Sequence, residues 1–247
     1  MLRVLLPFRT RYFDGKGEGV MPDDDFQPED EKEPQPEDFL PAASKPKGYL
    51  QRIPSLQSLN PALALFLLFL LMSLIYWHDD FGQNFWVSYQ SVFVDKQYWR
   101  IASSLFIHAD AMHLLDNSLL FIIFGWLLNY FYGFWVFPMV SLLAGVLTTF
   151  LSLHFHEPQI RLLGASGMIY AMVAIWIVLY VCYDMNYSIH LRLLRAVGFS
   201  LAMLFPTSFH VEIDYIAHAI GFGVGLVFGF LLIPFTRKRV RAFYGKL

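Results

Sequence analysis

Charged residues are scarce in this sequence, and cysteine is almost absent. Only 15% of the 247 residues are Asp, Glu, Lys or Arg, against roughly a quarter in an ordinary soluble domain. This scarcity, with 56% hydrophobic residues, excludes an ordinary soluble domain and indicates a membrane protein. The one cysteine, Cys182, excludes a disulfide within the chain.

Metal-site motifs are missing as well. A zinc helix needs His-Glu-x-x-His, but the one His-Glu pair, His156-Glu157, is followed by Pro158, which disrupts a helix interior. A paired-aspartate site needs two carboxylates in membrane segments, and Asp184 has no such counterpart. We therefore expect neither a metal nor another cofactor.

Five stretches without a charged residue are present, at 53–78, 117–156, 162–183, 196–211 and 215–236. A membrane-spanning helix needs about 20 apolar residues, and the second stretch is long enough for two. The sequence therefore predicts an all-α bundle of six spans, at about 60–77, 109–129, 134–154, 165–184, 190–206 and 213–235.

Basic residues predict the orientation, because Lys and Arg collect on the cytoplasmic side. With both termini inside, fifteen basic residues lie on that side and three outside, namely Lys96, Arg100 and Arg161. The fifth span is short and begins with Arg192 and Arg195, which leaves open whether it lies partly in the interface or packs loosely.

The two ends of the chain differ in charge. Residues 14–47 contain eleven acidic residues and six prolines, so we predict a largely disordered cytoplasmic tail over 1–55, either a solvated linker or a regulatory segment. No cleavable signal peptide is predicted. The six-span domain covers 56–236, and the basic tail 237–247 is interpreted as an anchor for anionic lipids rather than a nucleic-acid site.

Polar residues inside membrane spans are costly and usually functional. Here they form three clusters, which begin spans two, four and six: 108–117, 164–167 and 214–221. These three spans run in the same direction, so the clusters lie at similar depth near the outer face. Ser166 and His218 are thereby able to meet.

Glycines on the sixth span predict which helix it packs against. Gly221, Gly225 and Gly229 recur every four residues, a pattern that lets membrane helices approach closely. His218 projects from the same face, and we infer that this face meets span four.

Each cluster alone also has a structural interpretation. A Gly-x-Ser-Gly sequence serves helix packing more often than catalysis, and His218, His113 or Asn117 can serve as a hydrogen-bonding group in a membrane bundle. Their joint presence at one depth favours a catalytic site. For His108 and Asp110, nearer the interface, we expect a structural role.

The combination suits acyl transfer, which needs a nucleophile, a base and donors for an oxyanion. Ser166 is the candidate nucleophile and His218 the base. The Ser166 N–H at a helix start, with the His113 and Asn117 side chains, is the candidate oxyanion hole. Asp214, Tyr215 and backbone groups are alternatives for orienting His218, so the site is predicted as a dyad.

Over about residues 60–235 the sequence resembles the rhomboid intramembrane serine proteases. The resemblance rests on the motifs His-x4-His-x3-Asn, Gly-x-Ser-Gly and Ala-His-x2-Gly-x3-Gly, and on the pair Trp99-Arg100. The resemblance implies substrates whose transmembrane segments are cut near the outer face, often at small residues. It also implies a location in the membrane, interpreted as a bacterial inner membrane. By this resemblance the site comprises a Ser166–His218 dyad, an oxyanion hole of His113, Asn117 and the Ser166 amide, and the lining residues Gly164, Gly167, Tyr170 and Tyr215.

Two residues depart from the family pattern. Asn129 replaces a glutamate found in many relatives, and Asp116 beside Asn117 is unexpected. The main alternative function is a rhomboid-like scaffold that binds transmembrane segments without cleaving them. A transporter is disfavoured, because its polar residues would lie at mid-depth.

Overall fold

The computed structural model describes residues 48–204 and 214–244, and within these ranges the chain is α-helical. The long helices are α1 (Asn60–His78), α2 (Ala111–Tyr132), α3 (Ser141–Ser152), α4 (Ser166–Tyr183), α5 (Ile189–Leu204) and α6 (Tyr215–Tyr244). Short helical segments connect them: Tyr49–Gln51, Leu56–Leu59, Asp80–Asn84, Gln90–Val94, Arg100–Ser103, Ser104–Phe106, Trp135–Val140 and Leu153–Phe155.

The protein is an integral membrane protein. Five helical segments in the described ranges are long and apolar enough to cross a membrane, and α5, with 16 residues, is the long helix that does not qualify. The predicted count of six is therefore approximate. Large side chains such as Leu67 and Leu71 are exposed on α1, as expected for a helix whose surroundings are lipid.

The predicted spans agree with the helices to within a few residues, except at the last one. For the third span this holds when α3 is taken together with the flanking helical segments Trp135–Val140 and Leu153–Phe155. Helix α6 runs to Tyr244, so most of the basic stretch predicted as a tail is helical. Helix α1 begins at Asn60, one residue after the capping position Leu59. The predicted disordered tail, 1–55, lies outside the described residues over 1–47. Over 48–55 the prediction is wrong, because Tyr49–Gln51 is helical and the Tyr49 side chain is buried in the core.

Helix α4 lies at the centre of the bundle. Of its membrane-spanning segment, 61% is buried, the highest share among the five candidate spans. The helix packs against α2, α3, α5 and α6. Residues on all its faces are buried, including Met168, Met172 and Ile175. A side chain at the start of α4 is thus surrounded by the other helices.

Glycines allow α6 to lie directly against α4. A Cβ atom added to Gly221 would overlap the Gly167 carbonyl oxygen, and one added to Gly225 would overlap the Ala171 carbonyl oxygen. A Cβ at Gly229 would come within 2.7 Å of the Val178 side chain. The contacts of Gly221 and Gly225, nearest the start of α6, are backbone to backbone, which small residues alone permit.

The segment between α1 and α2 is held by a buried arginine. Arg100 is 7% exposed, and its guanidinium donates to the Trp86 carbonyl oxygen at 3.1 Å and contacts the rings of Trp86 and Trp99. Val87 pairs with Leu162 through two backbone hydrogen bonds. This pairing places the segment beside the loop that precedes α4.

The glycine contacts predict a contrast between two positions of α6. Gly225→Ala is expected to destabilise the protein by about 1–3 kcal/mol, because the new methyl group meets backbone that cannot yield. Gly223→Ala is the matched control, since a Cβ there meets nothing within 4 Å, and it is expected to leave stability unchanged or raise it by about 0.5 kcal/mol. Thermal unfolding in detergent micelles measures both; equal midpoints for the two variants would contradict the packing.

Candidate active site

The three polar clusters line one cavity of about 480 Å³. It extends between α2, the end of α3, α4 and the first turn of α6. The predicted residues that line it are Gly164, Ser166, Gly167, Tyr170, His113, Asn117 and His218.

Ser166 is the first residue of α4 and is half-buried. The turn before it contains Gly164 at φ +107°, a conformation that glycine adopts without strain. The Gly164 N–H donates to the Ser104 carbonyl oxygen at 2.9 Å. The first N–H groups of a helix have no partner within it, so the Ser166 N–H begins a row of donors beside the cavity.

His108 supports the turn before α4 by a hydrogen bond, which is a structural role. Its ring is fully buried, and its Nε2 atom accepts a hydrogen bond from the Ala165 N–H at 3.4 Å. Burial, together with the nearby His113 ring, lowers the pKa of His108 to about 3, so the ring is neutral near pH 7. Its hydrogen is then on Nδ1, 3.2 Å from the Ser73 hydroxyl of α1.

Helix α2 presents His113 and Asn117 to the cavity. The Asp110 carboxylate caps this helix by accepting from the His113 N–H at 2.8 Å, which is a structural role. The Asn117 amide donates to the His113 carbonyl oxygen at 2.9 Å and keeps a second N–H. The His113 ring lies against Gly164, where a Cβ would approach its Cε1 atom to 2.9 Å.

His218 lies in the first turn of α6. Its ring stacks on the Tyr170 ring, with centroids 4.1 Å apart and planes at 14°. Tyr215 meets the His218 ring edge-on at 6.3 Å, and it contacts this ring rather than the cavity wall. Ser166 and His218 line the same cavity without a direct hydrogen bond between them in the described structure.

The Asp214 carboxylate is engaged elsewhere. One oxygen accepts from the Ala217 N–H at 2.9 Å, and the other lies 3.1 Å from His156 Nε2. Sequence reasoning missed the His156 contact, because the two residues are 58 positions apart and no motif connects them.

The two departures from the family pattern have separate outcomes. The Asn129 amide donates to the Ser58 carbonyl oxygen at 2.7 Å, so a polar contact is present at this end of α2. Asp116 is exposed and lines the cavity, but nothing in the structure explains it. In the described ranges no group of three His, Cys, Asp or Glu residues is placed to hold a metal ion.

Comparisons with known proteins agree with this architecture. The chain is 28% identical to the rhomboid protease GlpG of Haemophilus influenzae over 141 residues, which is 56% of this chain and 71% of the relative. It is 29% identical to RHOMBOID-like protein 2 and 31% identical to RHOMBOID-like protein 7 of Arabidopsis thaliana, over 60% and 56% of this chain. It spans less than half the length of these two plant relatives. The Rhomboid domain model matches residues 95–235, more than half of the chain, and the protein therefore belongs to the rhomboid family.

Proposed function

We propose that this protein is an intramembrane serine endopeptidase that cleaves transmembrane segments of membrane proteins by a Ser166–His218 dyad. The observation that carries the proposal is the cavity that both side chains line, on adjacent helices. Family membership adds support, because the family includes the rhomboid protease GlpG. Ser166 attacks the scissile carbonyl, and His218 takes the hydroxyl proton and later gives it to the leaving amine.

The Ser166 N–H and the side chains of His113 and Asn117 form the oxyanion hole in this proposal. The donors come from α2 and from the start of α4, where the His113 ring lies against Gly164. The N-terminus of α4 adds a partial positive charge. Asn117 lines the same cavity as Ser166, and its amide has a second N–H available for an oxyanion. Donors fixed before reaction stabilise the developing negative charge without reorganisation.

Tyr170 keeps the His218 ring in place by stacking. A ring held between Tyr170 and the edge of Tyr215 has little freedom to rotate, which replaces part of what a third, carboxylate residue does elsewhere. Gly164 and Gly167 admit the neighbouring groups that a side chain would exclude.

The proposal includes an orientation and a domain plan. Both termini are cytoplasmic and the cavity lies near the outer face, in a membrane interpreted as the bacterial inner membrane. The catalytic unit is residues 56–236, preceded by the acidic tail 1–55. The substrates are segments that unwind near the outer face, where water and the dyad are accessible.

Removing either dyad member is the first test. Ser166→Ala and His218→Ala are each expected to abolish cleavage of a transmembrane reporter in proteoliposomes, because the nucleophile or its base is lost. Unfolding midpoints close to that of the parent chain show that the fold persists. Full cleavage by purified Ser166→Ala would falsify the dyad, and a parent chain that binds the reporter without cutting it would favour the scaffold function.

Covalent labelling identifies the nucleophile independently of any substrate. A fluorophosphonate probe is expected to modify Ser166, and His218→Ala is expected to suppress the modification, since the hydroxyl then lacks its base. Peptide mass spectrometry locates the label. Modification of another serine, with Ser166 unlabelled, contradicts the assignment.

Asn117→Ala is expected to lower kcat by about 100-fold, the scale of losing one oxyanion donor. Ser118→Ala is the matched control, because this neighbouring hydroxyl is buried and bonds the Leu114 carbonyl oxygen of its own helix. It is expected to leave kcat within about twofold. If both variants turn over at the same rate, Asn117 has no place in the site.

A further inference from the structure

One contact outside the assigned site connects the end of α3 to the start of α6. His156 Nε2 lies 3.1 Å from Asp214 Oδ2, and His156 Nδ1 lies 2.8 Å from the Ser152 carbonyl oxygen. A carbonyl oxygen and an ionised carboxylate only accept hydrogen bonds. Both ring nitrogens therefore face acceptors, and the arrangement is satisfied by an imidazolium beside a carboxylate.

Asp214 extends this contact to the turn that carries His218. Its Oδ1 atom accepts from the Ala217 N–H at 2.9 Å, and its carbonyl oxygen accepts from the His218 N–H at 3.1 Å. One residue thus caps α6, makes the first helical hydrogen bond to His218 and contacts His156. A displacement of the Asp214 side chain is transmitted to His218 through a single helical turn.

The glycine packing does not by itself fix this end of the helix. Gly221 and Gly225 set the distance between α6 and α4, but both lie beyond His218 along the helix. The contact with His156 lies before it and comes from the loop that follows α3. The two sets of contacts therefore lie on either side of His218 along α6.

We propose that His156 is a positioning residue, which holds the first turn of α6 through Asp214 so that His218 faces Ser166. The inference rests on the proposed function, and it adds a residue that the family motifs do not contain. The side chains of His156 and Asp214 are 16% and 28% exposed, so water screens part of their attraction. The contact is therefore expected to matter for catalytic geometry more than for stability.

The test compares full-length variants in proteoliposomes with the transmembrane reporter. His156→Ala and Asp214→Asn are each expected to lower kcat by about tenfold with little change in KM. The His218 ring is displaced from Ser166, while the surface that binds the substrate is unchanged. Asn at position 214 still caps the helix, so its loss of activity reports the link to His156. The double variant is expected to be no slower than the slower single variant, since both changes remove one contact.

His154→Ala is the matched control. This histidine lies two residues earlier, and its ring contacts Tyr89 and Phe93 of the segment between α1 and α2 rather than α6. It is expected to keep the parent kcat.

Two results would overturn the inference: parent activity in both single variants, or multiplied losses in the double variant. If His156→Ala lowers the unfolding midpoint, the same comparison is made with His156→Gln, which fills the space and keeps one N–H donor. Fluorophosphonate labelling separates this inference from the proposed function. A parent chain that labels and cleaves while its variants match it overturns the role of His156 alone, whereas a parent chain that does neither overturns both.

Discussion

The close approach of α6 to α4 is the constraint on which the rest of the site depends. A catalytic serine and a catalytic histidine are useful only within hydrogen-bond reach, and two helices with ordinary side chains between them lie 8–10 Å apart. Gly221 and Gly225 bring the α6 backbone against carbonyl oxygens of α4. Because α4 is enclosed by other helices, the cavity at its start is bounded on several sides and opens where its polar residues are.

The side of the cavity lined by His113 and Asn117 has a different construction. Its geometry comes from the turn before α4, where Gly164 accommodates the His113 ring and His108 accepts from the Ala165 N–H. Ser73 of α1 in turn contacts the His108 ring. A polar chain from the first helix to the serine is therefore buried in the bundle, and it fixes the tautomer of His108 as well as the position of the turn.

Much of this arrangement was accessible from the sequence. Hydrophobic runs, glycine spacing and three polar clusters predicted the helices within a few residues and the residues that now line one cavity, because spans of alternating direction place similar ends at similar depth. The count of six spans was only approximate, since the described helix α5 has 16 residues and is shorter than the helices that qualify as spans. The contact between His156 and Asp214 could not be predicted, because it joins a loop residue to a helix cap. Neither residue belongs to a periodic sequence pattern from which a contact could be inferred. The helical continuation of α6 through 237–244 was missed for another reason: charge ends a membrane span but does not end a helix.

That continuation gives α6 a length of 30 residues, or about 45 Å at 1.5 Å per residue, against a hydrocarbon core of about 30 Å. One end carries the imidazole and the other carries the guanidinium groups of Arg237, Arg239 and Arg241, of which Arg239 also donates to the Tyr130 carbonyl oxygen. Guanidinium groups resist entry into hydrocarbon, so they limit how far the helix can slide along the membrane normal. The headgroup layer at one surface thereby sets the immersion depth of the His218 ring at the opposite end of the helix.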